Sequence, residues 1–148
     1  MMINVKSYGI VLYKVSKKDI KILLCLGVTS GDKWGCLKGS KERDESAYEC
    51  AKREFFEESS INVDIALFEE YFEQVNIEKN VGIWLVNASN IDNIDKYFNK
   101  DKLKPEYLSW ENSDVKFFSI SKLPKIKSKQ KDLIKDIKDF LKSKNLFH

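Results

Sequence analysis

Six of the chain's twelve glutamates lie between Glu42 and Glu58, and the way they share a helical face with alanines restricts what can be built around them. Ser46 and Glu49 stand at capping-box spacing, with Asp44 as the other candidate cap, and the helix they open should run to about Ser59. Each helical residue advances about 100°, so Glu54 and Glu58 flank the direction taken by Ala47, with Ala51 beside them and Glu57 at the edge of that face. Small residues let another segment approach closely. Acids four residues apart cost a helix about 0.2 to 0.5 kcal/mol, and more where water is excluded, so something positive should compensate. Two readings stand: a solvated acidic face, or oxygen ligands for a hard divalent ion such as Mg2+, which holds waters able to attack an electrophile. Arg53, one of only two arginines with Arg43, offers a planar fork to Glu57 at i+4 or to Glu45 through tertiary proximity.

What is missing removes whole chemistries. The only histidine is the last residue, His148, so histidine-based nucleophile pairs, H-E-x-x-H zinc sites and histidine phosphoryl transfer lack their central part. None of the six glycines forms a dinucleotide fingerprint or a P-loop. If there is catalysis, carboxylates must perform it. Cys25, Cys36 and Cys50 are odd in number and widely spaced, which suits a reduced, cytoplasmic compartment. No apolar run approaches the roughly 20 residues of a membrane helix, and the amino terminus does not read as a leader. The net charge of +3 hides an asymmetry: residues 122–148 carry nine lysines against three aspartates. Such a stretch either solvates a helix or attracts a polyanion.

With 148 residues, 43% of them hydrophobic, one domain spanning 1–148 is expected. Val5 to Tyr13 and Ile20 to Leu26 read as a β-hairpin. Thr29 to Lys41, with three glycines, reads as a loop leading into the acidic helix. Ile61 to Val75 reads as one or two strands, Val81 to Val86 as another, Asn87 to Lys104 as a loop with a short helix around Ile94 to Phe98, and Val115 to Ile120 as a late strand. Leu133, Ile137, Phe140 and Leu141 recur at helical spacing. This order predicts a mixed α/β (α+β) layer structure with helices on a central sheet.

Gly39, Glu45, Arg53, Glu54, Phe55, Glu57, Glu58 and Ile61 match at every spacing the box G-x5-E-x7-R-E-U-x-E-E-x-G-U, with U apolar; only the second glycine differs, as Ser60. The chain thus resembles the Nudix hydrolase family, in particular its dinucleoside polyphosphate hydrolase and RNA pyrophosphohydrolase branch. The resemblance implies an α/β/α sandwich with a central mixed sheet. It also implies Mg2+, with Mn2+ as a substitute, held by Glu54, Glu57, Glu58 and the Gly39 carbonyl, while Glu45 and Arg53 orient them. The implied reaction is hydrolysis of a nucleoside diphosphate linked to another moiety: a dinucleoside polyphosphate or a nucleoside triphosphate first, the 5′ end of RNA as an alternative, and a non-catalytic nucleotide-binding module as another. In the family the carboxylate that deprotonates water lies in the box or in a later loop; Glu111 falls where relatives carry that loop glutamate, with Trp110 in place of the usual histidine, and reads as a base or metal ligand or as an exposed loop acid. Trp34 to Gly39 resembles a W-x-x-P-K-G entrance with Leu37 for proline, in which Lys38 would contact phosphate or stand as a plain loop lysine. Tyr71, Phe72 and Trp84 would stack on a base or pack within the sheet.

Overall fold

The computed structural model describes residues 4–144. A long strand β1 (Val5–Ser16) turns at Lys18, in the left-handed region, into β2 (Asp19–Gly27). After the glycine-bearing segment comes β3 (Leu37–Ser40), then helix α1 (Ala47–Ser59), β4 (Tyr71–Gln74) and β5 (Lys79–Asn87). The hairpin β6 (Phe98–Asn99) and β7 (Lys102–Leu103), the strand β8 (Asn112–Ser119) and helix α2 (Lys131–Ser143) follow.

The described strands form one mixed sheet in the order β4-β5-β1-β2-β8-β7-β6, with β3 paired to the first half of β1. β1 and β5 run parallel, from Val5 opposite Lys79 to Tyr13 opposite Asn87. A parallel pair needs a crossover, and α1 lies within it. Side-chain alternation divides the core into two layers. On one face Ile10, Leu12, Leu23, Trp84 and Val86 meet Ala51 and Phe55 of α1. On the other, Val11, Ile22, Leu24, Ile83 and Leu85 meet Leu133, Ile134, Ile137 and Leu141 of α2. Phe55 is fully buried, worth about 1.5 to 3 kcal/mol relative to exposure. The mixed α+β architecture with two helices on a central sheet is the expected one.

One local expectation changes and two are refined. Residues 37–40 are strand rather than loop, because their backbone completes the β1 edge that β2 leaves unpaired. Between Ile61 and Val75 only Tyr71–Gln74 is strand; Ile65–Leu67 is a single 3-10 turn capped by Asp64. In residues 87–104 the short helix expected around Ile94 to Phe98 is the 3-10 helix Ile94–Tyr97, joined by a 3-10 turn at Ala88–Asn90 and by the β6–β7 hairpin that extends the sheet beyond β8. The expectation for His148 lies outside the described residues.

Candidate active site

The capping box opens α1 as the sequence indicates: the Ser46 hydroxyl accepts from the Glu49 amide at 3.1 Å, and Glu49 accepts from the Ser46 amide at 3.0 Å. At the other end Ser60 adopts φ 65°, the left-handed conformation that glycine fills in the consensus. Its amide still closes the helix onto the Phe56 carbonyl. The Ser59 hydroxyl donates to the Phe55 carbonyl and accepts from the Ile61 amide, which ties the turn from inside.

Arg53 is the hub of the acids. Its Nε and Nη2 donate to the two Glu45 oxygens at 2.9 and 2.7 Å, Nη1 reaches Glu54 at 2.8 Å and Glu57 at 3.2 Å, and Nη2 also reaches the Ser40 carbonyl. Both partners foreseen for it, Glu45 and Glu57, are therefore engaged. Glu45 accepts further from the Glu42 amide. Its hydrogen bonds to Arg53 hold its carboxyl down to about 2, and the same carboxylates push the guanidinium up.

The three box glutamates differ in surroundings. Glu57 is exposed. Glu54 lies against the Cα of Gly39, where a Cβ would overlap its carboxylate, so a side chain at this crossing of β3 and α1 would displace the Glu54 carboxylate. Burial pushes the Glu54 carboxyl up, with Arg53 opposing. Glu58 is 8% exposed. Its Oε1 accepts from the Asn112 amide at 3.1 Å, while Oε2 is buried with no hydrogen-bond partner. Burial first, and the charge of Glu54 after it, push this carboxyl up to about 8 despite Asn112. The Gly39 carbonyl, on the strand residue paired with Tyr8, accepts the Cys50 thiol at 3.4 Å.

Beside Glu58 opens a cleft of about 360 Å3 lined by Lys38, Trp110, Glu111, Asn112, Lys127 and Gln130, among others. Lys38, from β3, has its pKa pushed down by burial and by the charge of Lys79. Glu111 sits where the β2–β8 pairing is bulged at Leu26 and Gly27, its carbonyl accepting from the Val28 amide. Thus Glu54, Glu58, Lys38 and Glu111 come together, and Glu57 joins them through Arg53. Trp34 and Tyr71 do not line this cleft. Trp34 packs edge-on against Phe118 at 4.7 Å, and its backbone pairs with Lys125 and Lys127. Tyr71 lies over Gly82 and against Trp84, its hydroxyl donating to Glu73. Phe72 packs on Phe140 in the opposite layer, and Trp84 is buried in the core.

Asn112, Lys127 and Gln130 are cleft residues for which the sequence offered no role. The buried Gln130 Oε1 accepts the Cys36 amide at 2.7 Å, fastening the turn before α2 to the Trp34–Gly39 segment. No motif links positions so far apart in sequence. Among the described residues no three His, Cys, Asp or Glu side chains already converge as a metal cage, since Arg53 draws Glu54 and Glu57 to itself. The donor set nonetheless suits a hard cation: clustered carboxylate oxygens, one of them buried and unpartnered, and a glycine that clears space at the crossing. No helix among the described residues is long and apolar enough to cross a membrane.

The sequence model of the NUDIX domain matches residues 4–137. Among solved structures, the Ap4A hydrolase of C. elegans in a binary complex is 23% identical, with 94% of this chain and 98% of that one covered and a TM-score of 0.64. The NUDIX domain of Shewanella oneidensis NrtR, complexed with ADP ribose, is 14% identical, covering 95% and 90% with a TM-score of 0.68. An ADP-ribose pyrophosphatase from Streptococcus suis is also 14% identical, covering 97% and 96% with a TM-score of 0.65. These likenesses share the fold, and the match over residues 4–137, with the box acids and Arg53 in place, makes the chain a member of the Nudix family, hydrolases of phosphoric anhydride bonds.

Proposed function

We propose that the protein is a Mg2+-dependent pyrophosphohydrolase that cleaves a nucleoside diphosphate linked to another moiety, with dinucleoside polyphosphates and nucleoside triphosphates as its principal substrates. The observation that carries this reading is the unpartnered Glu58 oxygen buried beside a cleft that also holds Glu111, Lys38 and Lys127. Glu54, Glu57 and Glu58, with the Gly39 carbonyl, would hold Mg2+, for which Mn2+ can substitute. When bound, such an ion neutralises phosphate oxygens and lowers the pKa of its water.

The chain's own residues supply the rest. Lys38 and Lys127 offer ammonium groups to phosphate oxygens inside the cleft. Glu111, an exposed acid on the cleft wall, accepts the proton released when water attacks phosphorus. Asn112 fixes the Glu58 carboxyl from the side. Arg53, gripped by Glu45, keeps Glu54 and Glu57 from moving apart. Phosphoryl transfer depends chiefly on such positioning and charge compensation. Three free, buried cysteines support work in a reducing compartment, the cytoplasm.

The test is product analysis on a panel containing a dinucleoside tetraphosphate, a nucleoside triphosphate and a nucleoside diphosphate sugar, with Mg2+ and with chelator. Hydrolysis that appears only with the ion, and falls by about a hundredfold or more in Glu111→Gln, is the expected result. Ion-independent turnover, or ligand binding with no turnover on any substrate, would overturn the proposal.

A further inference from the structure

The carboxylate-bearing cleft does not end at Lys38. Lys38, Lys127 and Gln130 also line a second cleft, of about 290 Å3, whose other walls bring in Lys33, Lys79 and Lys129. Five lysines thus arrive at one concavity from three places: the entrance segment, the start of β5 and the turn before α2. No acidic residue lines it. Lys33, Lys38, Lys79 and Lys127 make no ion pair among the described residues, and Lys129 has only a 3.9 Å contact with the exposed Glu78. Elsewhere on this surface lysines do find partners, as Lys14 and Lys21 do on Asp101, Lys125 on Asp32 and Lys135 on Asp139. Unpartnered like charges packed side by side repel one another, so folding gains nothing from gathering them.

The gathering is also built. Gln130 anchors the Lys127–Lys129 turn to Cys36, and the backbone of Trp34 pairs with residues 125 and 127 on either side of Ile126. These contacts fix Lys127 opposite Lys38. Lys79 is set by the β1–β5 register, opposite Val5 at the end of the parallel ladder.

We propose that this lysine cleft is a second phosphate subsite, formed by Lys33, Lys79, Lys127 and Lys129 with Lys38 at its junction to the carboxylates, and that it selects small molecules whose phosphate chain is longer than that of a triphosphate. The inference rests on the hydrolase reading above for the scissile end of the substrate. Consecutive phosphates concentrate charge in a volume that such a cleft can enclose, whereas RNA spreads one charge per nucleotide along a backbone and calls for a longer basic track. The phosphates beyond the scissile pair would meet ammonium groups, and a substrate that lacks them would leave those groups unpaired.

The experiment compares kcat/KM for a dinucleoside tetraphosphate and for a nucleoside diphosphate sugar in wild type and in the triple variant Lys33→Gln, Lys79→Gln, Lys129→Gln, which spares the lysines shared with the carboxylate cleft. The expected result is a long-to-short preference in wild type that falls by about a hundredfold in the variant, on the order of fivefold for each ammonium–phosphate hydrogen bond removed. Binding of inorganic tripolyphosphate by calorimetry in metal-free buffer supplies a readout independent of turnover. It should weaken in parallel and show a shallower dependence on salt in the variant. An unchanged preference, unchanged tripolyphosphate affinity, or a 5′-triphosphorylated RNA cleaved faster than the tetraphosphate would overturn the subsite. Absence of hydrolysis on every substrate, with tripolyphosphate binding and its weakening as expected, would instead overturn the hydrolase reading and leave the cleft standing as an anion site.

Discussion

Glu58 and Glu57 are neighbours in the box, yet replacing each by glutamine should move stability in opposite directions. The Glu58 carboxyl is 8% exposed, with one oxygen satisfied by Asn112 and the other unpartnered. Burying an acceptor without a hydrogen bond costs about 1 to 3 kcal/mol. The same burial raises the carboxyl to about 8, above its ordinary value near 4.5, so at neutral pH the group ionised in the unfolded chain takes up a proton on folding. The sign follows from linkage: stability is fully present below about pH 4.5 and is eroded as pH rises toward 8. Glu58→Gln has no proton to take up and should gain about 2 kcal/mol at pH 7.5, raising Tm by about 4 to 8 °C. Glu57 is exposed and gives up only an i,i+4 ion pair with Arg53, so Glu57→Gln should lower stability by about 0.3 to 0.5 kcal/mol. Thermal melts in chelator at pH 7.5 measure both, and turnover with Mg2+ should drop by orders of magnitude in each variant. If Glu58→Gln melts at or below wild type, or if Glu57→Gln gains as much, the assignment of the cost to the buried oxygen is refuted.

Two further outcomes follow from the ends of the acidic helix. Ser60→Gly keeps the left-handed cap but removes the roughly 1 to 2 kcal/mol that it costs a side-chain-bearing residue, against about 0.4 to 1 kcal/mol of added unfolded-state entropy. An unfolding free energy raised by about 0.5 to 1 kcal/mol in denaturant titration, with activity retained, is expected, and a destabilised variant would show that the serine has a use of its own. Arg53 holds Glu45 at about 2, below the ordinary value, so its contribution is present above about pH 4.5 and lost as pH falls toward 2. Glu45→Gln should therefore be less stable by about 1 kcal/mol at pH 7, and the gap should close on acidification; a gap independent of pH would contradict the ion pair.

Much of the site was legible because one helix carries it. Capping box, period and like-charge spacing all belong to residues 46–60, where local rules operate, and the structure forms the capping box and pairs Arg53 with Glu54. Sheet elements were legible where hydrophobic runs were long, as in β1, β2 and β5. Residues 37–40 were not, since the three glycines and three lysines from Thr29 to Lys41 outweigh one buried leucine, and only the vacant edge of β1 makes them a strand. The aromatic residues misled for a related reason. Flat rings suit bases and cores equally, and only packing places Trp34 on Phe118 and Tyr71 on Trp84. Asn112 and Gln130 join the cleft through single hydrogen bonds spanning more than fifty residues, which no spacing rule encodes.

The guanidinium of Arg53 acts as an internal counter-cation for two of the helix's acids, Glu54 and Glu57, and for Glu45 just before it. A metal-dependent zinc domain collapses when stripped, because its ligands have nothing else to hold them. Here the scaffold brings its own positive charge, so removal of the ion should silence the enzyme without melting it, and reloading should need no refolding.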